Sequence, residues 1–412
     1  MNPIKKNQNK GINGCLKFLK CKYIKIASLL MFQWYSRLPV DEHSIVLESE
    51  GDCCDNAFAL FDYMKTNGYI GKYHITWLVD HPENYHNEEY VKYCYKSIYS
   101  KASPATIKVL AQCHWYIFDH CNIMANYKKR NNQLLIYLSH GWGYKAPKGA
   151  KNKPKCDYDY MTATGPLAAK GLSEYWNRDP SQTIITGYPR LDYLFENNEN
   201  VKRIIEKKWC VNAYNKLLFW MPTFRKSNSA TLSENYIVNE TGLPIFNTIS
   251  SLEKFDDFLN KLNILLVFKL HHLQAELPVF NKKFSNIVIV RDDELQNLGV
   301  QLYQLVRYAE CMISDYSSIT IDYLLMDKPI IYTLDDYKQY EKSRGLFPKN
   351  AIDFMPGYHV YSDIELINAI IEVNNNIDLF KDERKKVIDE YHTYKDGSSA
   401  KRVLDTFGIM LN

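Results

Sequence analysis

The chain has 412 residues, 46% hydrophobic and 24% charged, with 17 Gly and 15 Pro. That balance excludes a collagen-like, a disordered or a small disulfide-stapled chain, and a mean hydropathy of −0.37 goes with the lack of any uncharged apolar run of spanning length. The net charge of +4 is uneven: Lys5, Lys6, Lys10, Lys17, Lys20, Lys22, Lys25 and Arg37 face no acid over residues 1–37, a local +8, so the rest sums to −4. An acidic body argues against a nucleic-acid partner. The ten cysteines include no C-x-x-C pair and no zinc-type spacing, and read as reduced thiols that fill cores.

In chain order, the first segment is a basic amphipathic helix. Ile12, Cys15, Leu16, Leu19, Tyr23, Ile26, Leu30 and Trp34 share one face and Lys10, Lys17 and Lys25 fall opposite. The pattern suits an anionic membrane surface, with packing on the protein's own body and a signal-anchor as the alternatives. From Ser44 the pattern alternates. Strands are expected at Ser44–Glu48, Tyr73–Val79, Trp115–Phe118 and Gln133–Ser139, and helices at Asn56–Thr66 and Ser103–Gln112, the latter capped by Ser103 with Pro104 in its first turn. Glu196–Lys208 reads as a helix or linker between lobes.

The alternation then restarts. Strands are expected at Leu217–Trp220, Leu265–Leu270, Ile287–Val290, Cys311–Ile313 and Pro329–Thr333, with helices at Ser251–Leu262, Ser318–Met326 and Asp363–Val373. Two successive doubly wound α/β lobes follow, with ligands expected outside the carboxyl ends of their strands. The expected division is 1–42 for the basic segment, 43–205 for the first lobe and 206–412 for the second.

Four clusters sit at such strand ends. In the first, His140 leads into Gly141, Trp142, Gly143, Tyr144 and Lys145; glycine permits close approach, and a histidine titrating near neutrality can act as general base. In the second, Lys269, Leu270, His271 and His272 leave the strand of the other lobe. In the third, Ser314, Asp315, Tyr316, Ser317 and Ser318 open a helix that contains Asp322; its free N–H groups suit a pyrophosphate and Asp322 suits a substrate hydroxyl. The fourth comprises Gly187–Arg190 and Met221, Pro222, Thr223, Phe224 and Arg225, where the arginines suit phosphate. An ordinary turn, a surface His pair and a well-capped helix are the plain alternatives for each cluster taken alone.

Taken together and in order, these residues resemble the CDP-glycerol:glycerophosphotransferase family of teichoic acid and capsule synthesis. SHGWGYK, TGYPRLDYL, MPTFR, KLH and SDYSSITIDYLLMDKPIIY carry the likeness, collinear from about Ser44 to Phe354. The resemblance implies a GT-B-type fold with two Rossmann-like lobes around a cleft. It also implies transfer of glycerol phosphate from CDP-glycerol to a hydroxyl of a growing polymer or a lipid-linked acceptor, with release of CMP at the cytoplasmic face of the membrane. His140 and His271 map to catalytic positions, as base and as electrostatic helper. Gly141, Trp142, Gly143, Tyr144, Arg190, Pro222, Thr223, Lys269, Leu270, Ser317, Ser318 and Asp322 map to substrate-binding ones. The chain departs from the family at Trp142-Gly143-Tyr144, where Thr-Pro-Leu is usual, which opens the choice between CDP-glycerol and another CDP-polyol. No residue is assigned to a metal and no acidic cage is evident, while Mg²⁺ assistance stays open. A nucleotide-sugar glycosyltransferase or epimerase on the same architecture is the first rival, and a non-catalytic scaffold the second.

Overall fold

Short runs such as Ile45-Val46-Leu47 and Ile264–Phe268 have no exposed face to offer, so they form central strands of parallel sheets covered on both sides. In the computed structural model, residues 21–96, 103–120, 122–146, 157–223, 240–270 and 272–411 are described. The expectations placed on residues 12–20, Phe224, Arg225 and His271 fall outside them.

The first sheet has seven strands: β1 (Asp41–Glu48), β2 (His74–Val79), β3 (Val91–Tyr95), β4 (Cys113–Phe118), β5 (Leu134–Tyr137), β6 (Tyr160–Ala163) and β7 (Thr183–Ile185), in the order β3-β2-β1-β4-β5-β6-β7. Pairings from β1 to β6 are parallel. The second sheet has six parallel strands: β8 (Lys216–Trp220), β9 (Ile264–Phe268), β10 (Ile287–Ile289), β11 (Cys311–Ser314), β12 (Ile330–Thr333) and β13 (Tyr358–Val360), in the order β10-β9-β8-β11-β12-β13. Both orders reverse beside the first strand of their set, between β1 and β4 and between β8 and β11. Those are the switch points where a doubly wound sheet opens a crevice.

The chain forms two compact units. One comprises Met1–His140, Asn152–Thr162 and Val403–Asn412; the other Gly141–Lys151 and Ala163–Arg402. The C-terminal segment joins the first through its backbone: Trp115 Nε1 donates to Phe407 O at 3.0 Å and the Tyr73 hydroxyl to Met410 O at 2.7 Å. In the second unit the helix Ile249–Lys261 covers one face of the sheet. Its capping box between Thr248 and Ser251 satisfies the first turn, and it buries Leu252, Phe255 and Leu259 against Trp220 and Phe268.

Expected elements recur with shifts of one to three residues. The helix Pro104–Gln112 begins where Ser103 caps it, accepting from Thr106 N at 3.5 Å. The strand expected to run to Ser139 stops at Tyr137, since Ser139 takes a left-handed φ of 60° that no strand continues. The helix expected to Met326 is α-helical only over Ser318–Tyr323 and tightens over Leu324–Met326. Strands β3, β6, β7 and β13 and the helices Pro166–Trp176, Lys381–Tyr391 and Ser399–Thr406 lie outside the expected set. Among the described residues, no helix is long and apolar enough to cross a membrane.

The helix over residues 21–35 has two faces. Ser28 and Phe32 are buried, with the Phe32 ring stacked on Tyr127 at 4.6 Å. Tyr23, Ile26, Leu30 and Trp34 are all at least 49% exposed and lie on the opposite face.

Candidate active site

In the first unit the adjacent strands β1, β4 and β5 lead at their carboxyl ends to Glu48, Asp119 and His140. Leu138 N donates to Phe118 O at 2.7 Å and Leu138 O accepts from Thr162 Oγ1 at 2.8 Å, which fixes the exit of β5. The left-handed turn at Ser139 is buried, and its carbonyl accepts from Asn56 Nδ2 at 2.8 Å. This turn delivers His140 to the surface, where it is exposed. The Tyr137 hydroxyl lies 3.0 Å from His140 Nδ1. The β1 exit holds Glu48, whose carboxylate accepts from Ile123 N at 3.1 Å and from the Tyr116 hydroxyl. Burial pushes Glu48 up to about 7. Burial also pushes the thiols of Cys53 and Cys54 up to about 12, which keeps them protonated and unreactive near neutrality.

In the second unit three loops meet. Gly141 has a φ of 106°, and a Cβ there would lie 2.9 Å from both Arg190 Nη2 and Ser318 Oγ. At Gly143 a Cβ would lie 2.6 Å from Tyr316 O and 2.9 Å from Ser318 N. Glycine is therefore required at both positions: the backbone of this loop rides directly on the turn that opens the Ser318–Tyr323 helix. Arg190 is held by Asp322, Nη2 to Oδ2 at 2.9 Å, and its guanidinium lies 4.9 Å from the Tyr303 ring centroid. The Tyr303 hydroxyl donates to the same Asp322 oxygen.

The loop after β8 is tied to the loop after β11. Thr223 N donates to both Asp315 oxygens, at 3.1 and 3.0 Å, and Thr223 Oγ1 to Oδ1 at 2.5 Å. Tyr316 is buried, stacked on Tyr340 at 3.8 Å, and donates to Asp336 at 3.0 Å. Ser317 and Ser318 remain half-buried, with no side-chain cap bond from Ser317. What emerges is a small polar cradle of hydroxyls, backbone N–H groups and one guanidinium, suited to an anion.

The structure thus brings together Gly141, Gly143, Arg190, Ser318 and Asp322, and separately Thr223 with Asp315. It gives several expected ligand residues a different employment. Asp322, expected to accept a substrate hydroxyl, is 2% exposed and engaged by Arg190 and Tyr303. Tyr144 is fully buried; its hydroxyl lies 3.2 Å from that of Tyr332 and donates to Phe354 O at 3.0 Å, and burial pushes it up to about 12. Trp142 packs against the Pro166–Trp176 helix so closely that a Cβ on Gly171 would sit 2.4 Å from its Nε1. These two aromatics anchor the loop. Leu270 lies in the core, and Lys269 pairs with Asp292 at 2.9 Å. Pro222 is buried behind Thr223.

Sequence reasoning missed Tyr303, Gly171 and Glu48. Only Glu48 left a signal, an acid closing an apolar run; contacts as distant in sequence as Tyr303–Asp322 leave none.

A family model described as CDP-Glycerol:Poly(glycerophosphate) glycerophosphotransferase matches residues 30–407, and the chain belongs to that family. It is 24% identical over 343 residues to the teichoic acid glycerol-phosphate primase of Bacillus subtilis, covering 77% of this chain and 86% of that one. It is 25% identical over 261 residues to the teichoic acid ribitol-phosphate primase of Bacillus spizizenii, covering 62% of this chain and 60% of that one. Among solved structures, the wall teichoic acid polymerase TagF superposes with a TM-score of 0.72 at 16% identity, over 97% of this chain and 98% of that one. A UDP-GlcNAc 2-epimerase of Methanocaldococcus jannaschii superposes at 0.51 and 13%, over 89% and 100%. The fold is GT-B-type.

Proposed function

We propose that the protein transfers a polyol phosphate from a CDP-polyol, CDP-glycerol in the first place, to a hydroxyl of a teichoic-acid-like or capsular polymer or its lipid-linked primer. The observation that carries this reading is the seating of the glycine loop 141–143 on the Ser317–Ser318 turn beside Arg190. In this reading His140 supplies the base, and the loops that bring Gly141, Arg190, Ser317 and Ser318 together supply the donor site. The acceptor oxygen attacks the phosphorus bearing the polyol. Its proton passes to the His140 imidazole, and the phosphorus–oxygen bond to CMP breaks with its electron pair on the departing phosphate. Ser317, Ser318 and Arg190 offset that charge by preorganised donors. His271 is assigned the matching role from sequence alone.

The test is CMP release across CDP-glycerol, CDP-ribitol and UDP-sugars, with and without a lipid-linked acceptor and Mg²⁺. Turnover of a CDP-polyol alone supports the reading; turnover of a UDP-sugar alone would move the protein to the glycosyltransferase or epimerase class.

The exposed stripe Tyr23, Ile26, Leu30 and Trp34, beside Lys22 and Lys25, supports peripheral attachment to an anionic membrane at its cytoplasmic face, where a lipid-linked acceptor would lie. Co-sedimentation with anionic liposomes should weaken with salt, and should drop in an Ile26→Glu/Leu30→Glu/Trp34→Glu variant. Equal pelleting of variant and wild type would end this proposal.

A further inference from the structure

The first unit carries a second histidine at the edge that presents His140. Strands β4 and β5 are adjacent, with Phe118 paired to Tyr137, and both chains continue past that pair to a histidine. Asp119 anchors the β4 exit, its Oδ2 accepting from Ala57 N at 3.0 Å, and His120 follows. The His120 and His140 rings lie 5.1 Å apart, centroid to centroid, inclined at 54°. His120 Nε2 is 3.6 Å from Glu50 Oε1, and Glu50 sits two residues past the end of β1. Three neighbouring strand exits thus contribute Glu50, His120 and His140 in a row.

An exposed imidazole after a turn has two side-chain torsions to fix. The Tyr137 hydroxyl at Nδ1 sets the direction of the ring. The tilted ring contact with His120 on its flank bears on the second torsion. We propose that His120 is a positioning residue whose ring, against the flank of His140, holds the His140 imidazole in its reactive orientation, an inference that rests on the reading of His140 as the base.

The test uses the full chain with His120→Ala and His120→Phe, the second of which keeps a ring and discards the ring nitrogens. In the CMP-release assay, His120→Ala should lower kcat roughly 10- to 100-fold, the scale of a misplaced reacting group. KM for the donor should stay unchanged, and His120→Phe should recover most of the rate. Independently of turnover, NMR relaxation of the His140 ring in ¹³C-histidine-labelled protein should show added motion in His120→Ala and wild-type motion in His120→Phe. Wild-type ring motion and kcat in His120→Ala would overturn the inference, as would equal impairment in the two variants. Absence of CMP release by the wild type from every CDP-polyol would instead overturn the proposed function, and the ring relaxation would still decide on His120.

Discussion

The loops that follow β5 and β11 are built on opposite terms. After β5, one buried left-handed residue turns the chain and puts His140 into solvent, with the Tyr137 hydroxyl at its Nδ1. After β11, Asp315 and Tyr316 are fully buried and each is bonded to a different neighbouring segment, while only Ser317 and Ser318 reach partial exposure. The difference suits the work proposed for each loop. A base must be reached by the proton it takes, so its ring is left accessible. A cradle for an anion acts through backbone N–H groups and hydroxyls whose directions must be settled beforehand, so its supports are buried.

The comparison can be broken at four points. The largest effect belongs to His140→Ala, which should lower CMP release by roughly 10²- to 10⁴-fold while thermal unfolding stays as in the wild type. Arg190→Ala should act on the fold as well as the donor site, because it strands the Asp322 carboxylate in the interior; loss of one partner of such a pair costs about 3–5 kcal/mol, read as a lower unfolding temperature. Arg190→Lys should not restore it, since an ammonium lacks the planar fork. Gly171→Ala forces a methyl into the Trp142 indole and should cost about 1–3 kcal/mol, accompanied by weaker donor binding as the glycine loop shifts. The fourth effect is one of pH. The folded Glu48 carboxyl, pushed from 4.5 up to about 7, keeps a proton that the unfolded chain has lost within that window, so it makes stability fall as pH rises from 4.5 to about 7. Glu48→Gln should flatten that slope and unfold at a higher temperature than the wild type at pH 8, with the gain vanishing at pH 4.

Much of the fold was legible because buried parallel strands are short, continuous apolar runs, as at β1, β8 and β9, and because Ser103 announces its helix by chemistry. The short strands β6 (Tyr160–Ala163) and β7 (Thr183–Ile185) were not legible, since three or four residues carry no period. The candidate site was legible as a set of loops, each marked by glycine, histidine or serine at a strand end. The employment of individual side chains was not. Whether Asp322 meets a ligand or an arginine is settled by Arg190, 132 residues away in sequence, and Trp142 depends on the missing side chain of Gly171. Long-range pairings of that kind have no local pattern to read.

The division of labour between the two loops is tested most directly by measuring CDP-glycerol binding and CMP release on the same preparations of wild type, His140→Ala and Ser317→Ala/Ser318→Ala, with calorimetry for the first quantity. The account predicts that His140→Ala binds the donor like the wild type yet releases no CMP, and that the double serine variant loses donor affinity. A His140→Ala protein that turns over normally, or a double serine variant that binds the donor undiminished, would contradict it.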